Sequence, residues 1–157
     1  MAINPTAQRV ADILAAMDVQ TSVIEFAEST RTAEEAANAI GTQVAQIVKS
    51  LIFMAGEIPV LALVSGSNRV DTARLAAYLD APPRRATADQ VRAATGFAIG
   101  GVPPVGHPAP LTTFIDRDLL QYDVLYAAAG TPHTVFAITP SELVRVVGGR
   151  VIDLAAA

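Results

Sequence analysis

The run Gln46-Ile47-Val48-Lys49-Ser50-Leu51-Ile52-Phe53-Met54, followed by Pro59-Val60-Leu61-Ala62-Leu63-Val64, decides how this chain folds. Both runs are dense in Val, Ile, Leu and Phe, and Gly56-Glu57 lies in the turn between them, so they read as two strands. Pro59 suits a strand start or an edge, where its missing N–H is tolerated. Further strands are expected at Val23–Phe26, Leu111–Ile115, Val124–Ala128 and Thr134–Ile138. Arg150–Leu154 reads as a short edge strand or an irregular tail.

Helix signals fill the intervals. Asn4 caps a first helix with Pro5 in its first turn and Val10, Ile13, Leu14 and Met17 as its apolar stripe. Thr32 with Glu35, and Thr87 with Gln90, are capping boxes; Thr139-Pro140-Ser141-Glu142 opens a last helix. Gly41 stops the helix that Thr32 starts. Asp71 is expected to cap a helix through Leu79, with Pro82-Pro83 just beyond its end. The pattern predicts one α+β domain over residues 1–157: a mixed sheet, curled or barrel-like, with helices packed around it.

The 157 residues suffice for a hydrophobic core without metals or disulfides. The absence of cysteine excludes disulfide scaffolding, zinc–thiolate sites and a cysteine nucleophile. The apolar runs are too short to span a bilayer, and residues 1–16 lack the basic start of a signal peptide. A cytoplasmic protein that spans no membrane is the expectation. The net charge of -4 argues against a non-specific duplex binder, which needs a broad basic surface. It leaves room for a local patch that holds one end of an RNA.

Alternation along the strand puts Lys49 on one face with Ile47 and Leu51. A lysine there is costly unless it is paired, opens into a cleft or marks a solvated edge. The second candidate is Gly100-Gly101-Val102-Pro103-Pro104-Val105-Gly106-His107, which suits neither helix nor strand. It is either a rigid connection or a wall whose N–H groups face a ligand oxygen. No Gly-Lys-Ser/Thr follows it, so it is no P-loop. His107 and His133 are the only histidines and lack metal-ligand spacing, so neither a metal nor a cofactor is expected. Asp116-Arg117-Asp118 reads as a solvated turn. Arg69, Arg74, Arg84, Arg85 and Arg92 either meet phosphates or coat a helix surface.

Val48-Lys49-Ser50-Leu51-Ile52-Phe53, the Gly-x-x-x-Pro loop Gly100–Pro104 and Ala128-Ala129-Gly130, in this order and spacing, resemble the YbaK/ProX family of aminoacyl-tRNA deacylases. That family is related to the editing domain of bacterial prolyl-tRNA synthetase. The resemblance implies a mixed α/β domain with a curled sheet. It also implies hydrolysis of the ester joining a small, wrongly attached amino acid to tRNA, with tRNA for proline the expected carrier. By position, Lys49 matches the family's important lysine, and Gly100, Gly101, Val102, Pro103 and Pro104 match its substrate loop. In that reading Lys49 acts with the N–H groups of Gly101 and Val102. Gly130 matches the glycine of the late strand-turn segment, and His133 shapes the pocket or positions the acceptor end. The partners implied are the acceptor end of mischarged tRNA and prolyl-tRNA synthetase or another tRNA-binding protein, with a monomer as the default. The alternative is a binding or regulatory module of the same fold without activity.

Overall fold

The computed structural model describes residues 4–156. Among these residues five α-helices and eight strands follow one another as α1 (Pro5–Ala16), β1 (Val23–Glu25), α2 (Ala33–Ile40), β2 (Ile47–Ala55), β3 (Ile58–Ser65), α3 (Thr72–Ala76), β4 (Pro83–Arg85), α4 (Ala88–Thr95), β5 (Thr112–Asp116), β6 (Leu125–Ala128), β7 (Thr134–Ile138), α5 (Pro140–Val147) and β8 (Arg150–Ile152), with short 3-10 turns at Val44–Gln46 and Arg117–Gln121. The strands form one mixed sheet in the order β1-β7-β6-β2-β3-β5-β8, with β4 added alongside β2. β2 and β3 pair antiparallel over their length, Val48 opposite Ser65 and Ala55 opposite Ile58. The pairs β2–β6, β3–β5 and β5–β8 are parallel.

Local signals set the helix ends. Asn4 Oδ1 accepts the Thr6 N–H, and the capping boxes of Thr32, Thr87 and Thr139 all form. Gly41, left-handed at φ 85°, ends α2. The α1 stripe is shifted: Ala7, Val10 and Leu14 are buried, whereas Met17 caps the end and is exposed. α3 is shorter than Asp71 to Leu79 suggests. It stops at Ala76, and the Tyr78 and Leu79 N–H groups turn back tightly to Leu75 and Ala76.

Both faces of the sheet are covered. Val48, Ile52, Leu61, Leu63 and Ile115 meet Val10 and Leu14 of α1, Val91 of α4 and Leu143 of α5. On the opposite face Phe53, Val60, Ala62 and Phe114 meet Leu75, Ile152 and Leu154. Arg150–Ile152 takes the edge beside β5.

Pro83-Arg84-Arg85 is a strand that the Pro-Pro pair conceals. It pairs antiparallel with Phe53–Ala55, and as a three-residue outer strand it tolerates a proline. Among the described residues no helix is long and apolar enough to cross a membrane.

Leu63 is fully buried at the centre of β3. Leu63→Ala is expected to destabilise the fold by about 2–5 kcal/mol, read as a lowered denaturant midpoint with the slope unchanged.

Candidate active site

A strand has two edges, and β3 occupies one edge of β2 from end to end. Its other edge is shared: β6 pairs with Ile47 and Val48, and β4 with Phe53 to Ala55. Lys49, Ser50 and Leu51 lie in the fork between them. Main-chain groups of successive strand residues face opposite edges. The Ile47 carbonyl meets the Gly66 N–H on the β3 side and the Ile52 carbonyl meets the Ala86 N–H on the other, so the Ser50 N–H and carbonyl face the fork.

A cavity of about 380 Å³ opens there. One part is apolar, with Val48, Ile52, Val91, Val102 and Ala127. The other carries Lys49, Arg31 and Arg85 against one carboxylate, Glu34. Lys49 is half-buried, and burial pulls its pKa below the ordinary lysine value; Glu34 opposes that shift, whereas Arg69 and Arg85 reinforce it. Its ammonium donates to the Asn68 carbonyl. The Asn68 amide in turn donates to Asp116 at 2.9 Å and Asp118 at 2.8 Å. Asp116 is therefore not in a solvated turn. It is buried, and its other oxygen accepts the Asp118 N–H. Asn68, reached only through the turn after β3, is a residue that sequence reasoning missed.

Ser50 Oγ is buried without a hydrogen-bond partner in its surroundings among the described residues. It has no base beside it and is not built as a nucleophile. No group of three or more His, Asp or Glu side chains among the described residues is arranged to hold a metal.

The loop after α4 forms the facing wall. Gly101 through Val105 are buried, and Gly100 and Val102 line the cavity. Gly100, at φ 93°, lies beneath the Arg31 side chain, and a Cβ there would run into it. The Gly101 N–H is engaged by the Ala98 carbonyl at 3.1 Å, so it is not the free donor expected from the sequence. The Gly100 and Val102 N–H groups have no partner among the described residues. Gly101 is needed for a different reason: a Cβ there would sit 2.9 Å from the Thr131 backbone. Pro103 and Pro104 are buried and line neither this cavity nor the neighbouring one.

Gly130 and His133 line a second, open groove with Phe26, Arg92 and Thr131. The structure thus gathers Lys49, Gly100 and Val102 into one concavity and Gly130 and His133 into another. His133 Nδ1 donates to the Glu28 carbonyl at 2.9 Å, the only role that carbonyl permits. His107 lines neither concavity. Its Nε2 donates to the Pro103 carbonyl at 2.9 Å and closes the loop on itself.

The sequence matches the aminoacyl-tRNA editing domain family over residues 27–146. A solved structure described as "a putative trans-editing enzyme for prolyl tRNA synthetase" superposes with TM-score 0.94 and 46% identity, covering 99% of this chain and 100% of that one. The uncharacterized protein YwhH of Bacillus subtilis is 30% identical over 79% of this chain and 80% of its own. The "Putative Cys-tRNA(Pro)/Cys-tRNA(Cys) deacylase EbsC" of Enterococcus faecalis is 25% identical over 83% of this chain and 82% of its own.

Burial lowers the His107 pKa from its ordinary 6.5, while the Pro103 carbonyl acts in the opposite sense. The unfolded chain therefore takes up a proton that the folded chain resists. This contribution to stability is full above the unfolded value and declines as pH falls through it towards the lowered folded value. His107→Asn keeps an N–H donor without titrating. Wild type is expected to lose more stability than this variant on acidification below pH 6.5, measured by melting at matched ionic strength.

Proposed function

The chain belongs to the aminoacyl-tRNA editing domain family, and we propose that it is a deacylase that clears small, wrongly attached amino acids from tRNA. One observation carries this beyond family membership. The fork brings a half-buried lysine into the same cavity as Gly100 and Val102, whose N–H groups have no partner among the described residues. An aminoacyl ester joined to a terminal nucleotide needs both a cation for phosphate and donors for a developing oxyanion. Three cations to one carboxylate favour an anionic ligand locally, although the whole chain carries -4.

In this reading the ester carbonyl faces Gly100 and Val102, and Lys49 meets the phosphate of the terminal adenosine. A water oxygen bonds to the carbonyl carbon, assisted by the adjacent ribose hydroxyl of the substrate. The bond from that carbon to the ribose ester oxygen then breaks. The ribose oxygen leaves with a proton, giving free amino acid and intact tRNA. The network of Asn68, Asp116 and Asp118 holds Lys49 in place, so the ammonium needs little reorganisation. The apolar part takes the amino-acid side chain. There Ser50 Oγ offers a hydroxylated side chain a partner that alanine leaves empty.

The likeness to the structure described as "a putative trans-editing enzyme for prolyl tRNA synthetase" supports tRNA for proline as the proposed carrier. The protein then acts in the cytoplasm as a monomer, in company with that synthetase or another tRNA-binding protein.

The test is deacylation of tRNA for proline charged with alanine, serine, threonine or cysteine, beside one non-proline tRNA. Lys49→Ala is expected to lower turnover by about 10²–10³-fold with an unchanged melting curve. Wild-type binding without turnover of any of these substrates would instead identify a binding module. Ser50→Ala is expected to fold at least as stably, since it removes an unpaired buried hydroxyl. Its ratio of seryl to alanyl turnover should drop about tenfold; an unchanged ratio would place the hydroxyl outside the side-chain site.

A further inference from the structure

Two concavities sit back to back, separated by little more than main chain. Gly100 and Val102 face the cavity, Gly130 and Thr131 face the open groove, and Gly101 packs on the Thr131 backbone between them. The Arg31 side chain lies over the Gly100 end of this ridge. The groove beyond holds an exposed arginine, Arg92, a half-buried aromatic ring, Phe26, and an exposed histidine, His133. Arg92 makes no ion pair among the described residues. With His133 Nδ1 committed to Glu28, Nε2 is left to face a ligand.

We propose that the groove binds the single-stranded RNA segment immediately upstream of the terminal adenosine. This rests on the deacylase reading of the cavity. The strand leaves the cavity past Arg31, crosses the Gly101–Thr131 ridge and lies along the groove. A base stacks on Phe26, a phosphodiester meets Arg92, and His133 Nε2 accepts from a ribose hydroxyl. This is the pairing of aromatic platform and cation that single-stranded nucleic acids use. It also explains why residues matched to one function occupy two sites: the ligand is a polymer end longer than either concavity. Glu25 at the groove margin opposes a second phosphate near it, which limits the contact to a short segment.

The test uses two non-hydrolysable ligands, adenosine 5′-monophosphate carrying alanine through a 3′-amide, which keeps the phosphate assigned to Lys49, and the trinucleotide CCA carrying the same group. Both are titrated against wild type, Arg92→Ala, Phe26→Ala and Arg74→Ala, the last removing an arginine already paired with Asp71. Wild type should bind the trinucleotide about tenfold or more tighter than the adenosine analogue. Arg92→Ala and Phe26→Ala should each remove most of that advantage and leave the adenosine analogue unchanged. Arg92→Ala should also reduce the salt slope of trinucleotide binding by about 0.7. Arg74→Ala should match wild type. An unchanged trinucleotide advantage in both groove variants, or equal losses for both ligands, overturns the groove and leaves the cavity reading standing. Wild type binding neither ligand overturns both.

Discussion

The functional architecture depends on one constraint of strand pairing: β2 has a single free edge and two strands compete for it. Neither β6 nor β4 is long enough to take all of it. Three residues in a buried sheet are left with an open flank, and unpaired main chain in such a place is expensive unless something else meets it. The cavity beside Lys49 and the open main-chain flank of Ser50 both descend from that gap. A longer β6 would pair the Ser50 main-chain groups and close the fork.

The opposite wall obeys a second constraint, one of thickness. The Gly100–Val105 loop is buried almost throughout, which is unusual for irregular chain. It meets its backbone obligations in several ways: Gly101 reaches Ala98, Pro103 and Pro104 have no N–H to satisfy, and His107 reaches back to the Pro103 carbonyl. The N–H groups of Gly100, Val102 and Val105 are left over among the described residues, and the first two belong to residues that line the cavity. A stiff loop with spare donors is a preorganised one, because nothing must be broken before a ligand oxygen arrives.

Much of this was legible in the amino-acid order. The capping boxes at Thr32, Thr87 and Thr139 are local, and local rules sufficed for them. Alternation along β2 singled out Lys49 because a lysine on an apolar face demands an explanation. What escaped was non-local. Pro83-Arg84-Arg85 is a strand only because Phe53–Ala55 needs a neighbour. Asn68 matters because it bridges Lys49 to two aspartates roughly fifty residues further along the chain. Gly101 drew attention as a backbone that approaches a ligand, whereas what approaches it is Thr131, which no spacing rule connects to it.

The distribution of charge carries a consequence for encounter. The two concavities use four of the chain's eleven cations and only two of its fifteen carboxylates. The rest of the surface is therefore more acidic than the net figure suggests. Under the proposed function, a polyanion would meet net repulsion from that remainder and local attraction at the two concavities. For the RNA end proposed as the ligand, the protein's acidity would act as an orientation filter, discouraging contacts with the body of the RNA and leaving the tip as the part that docks.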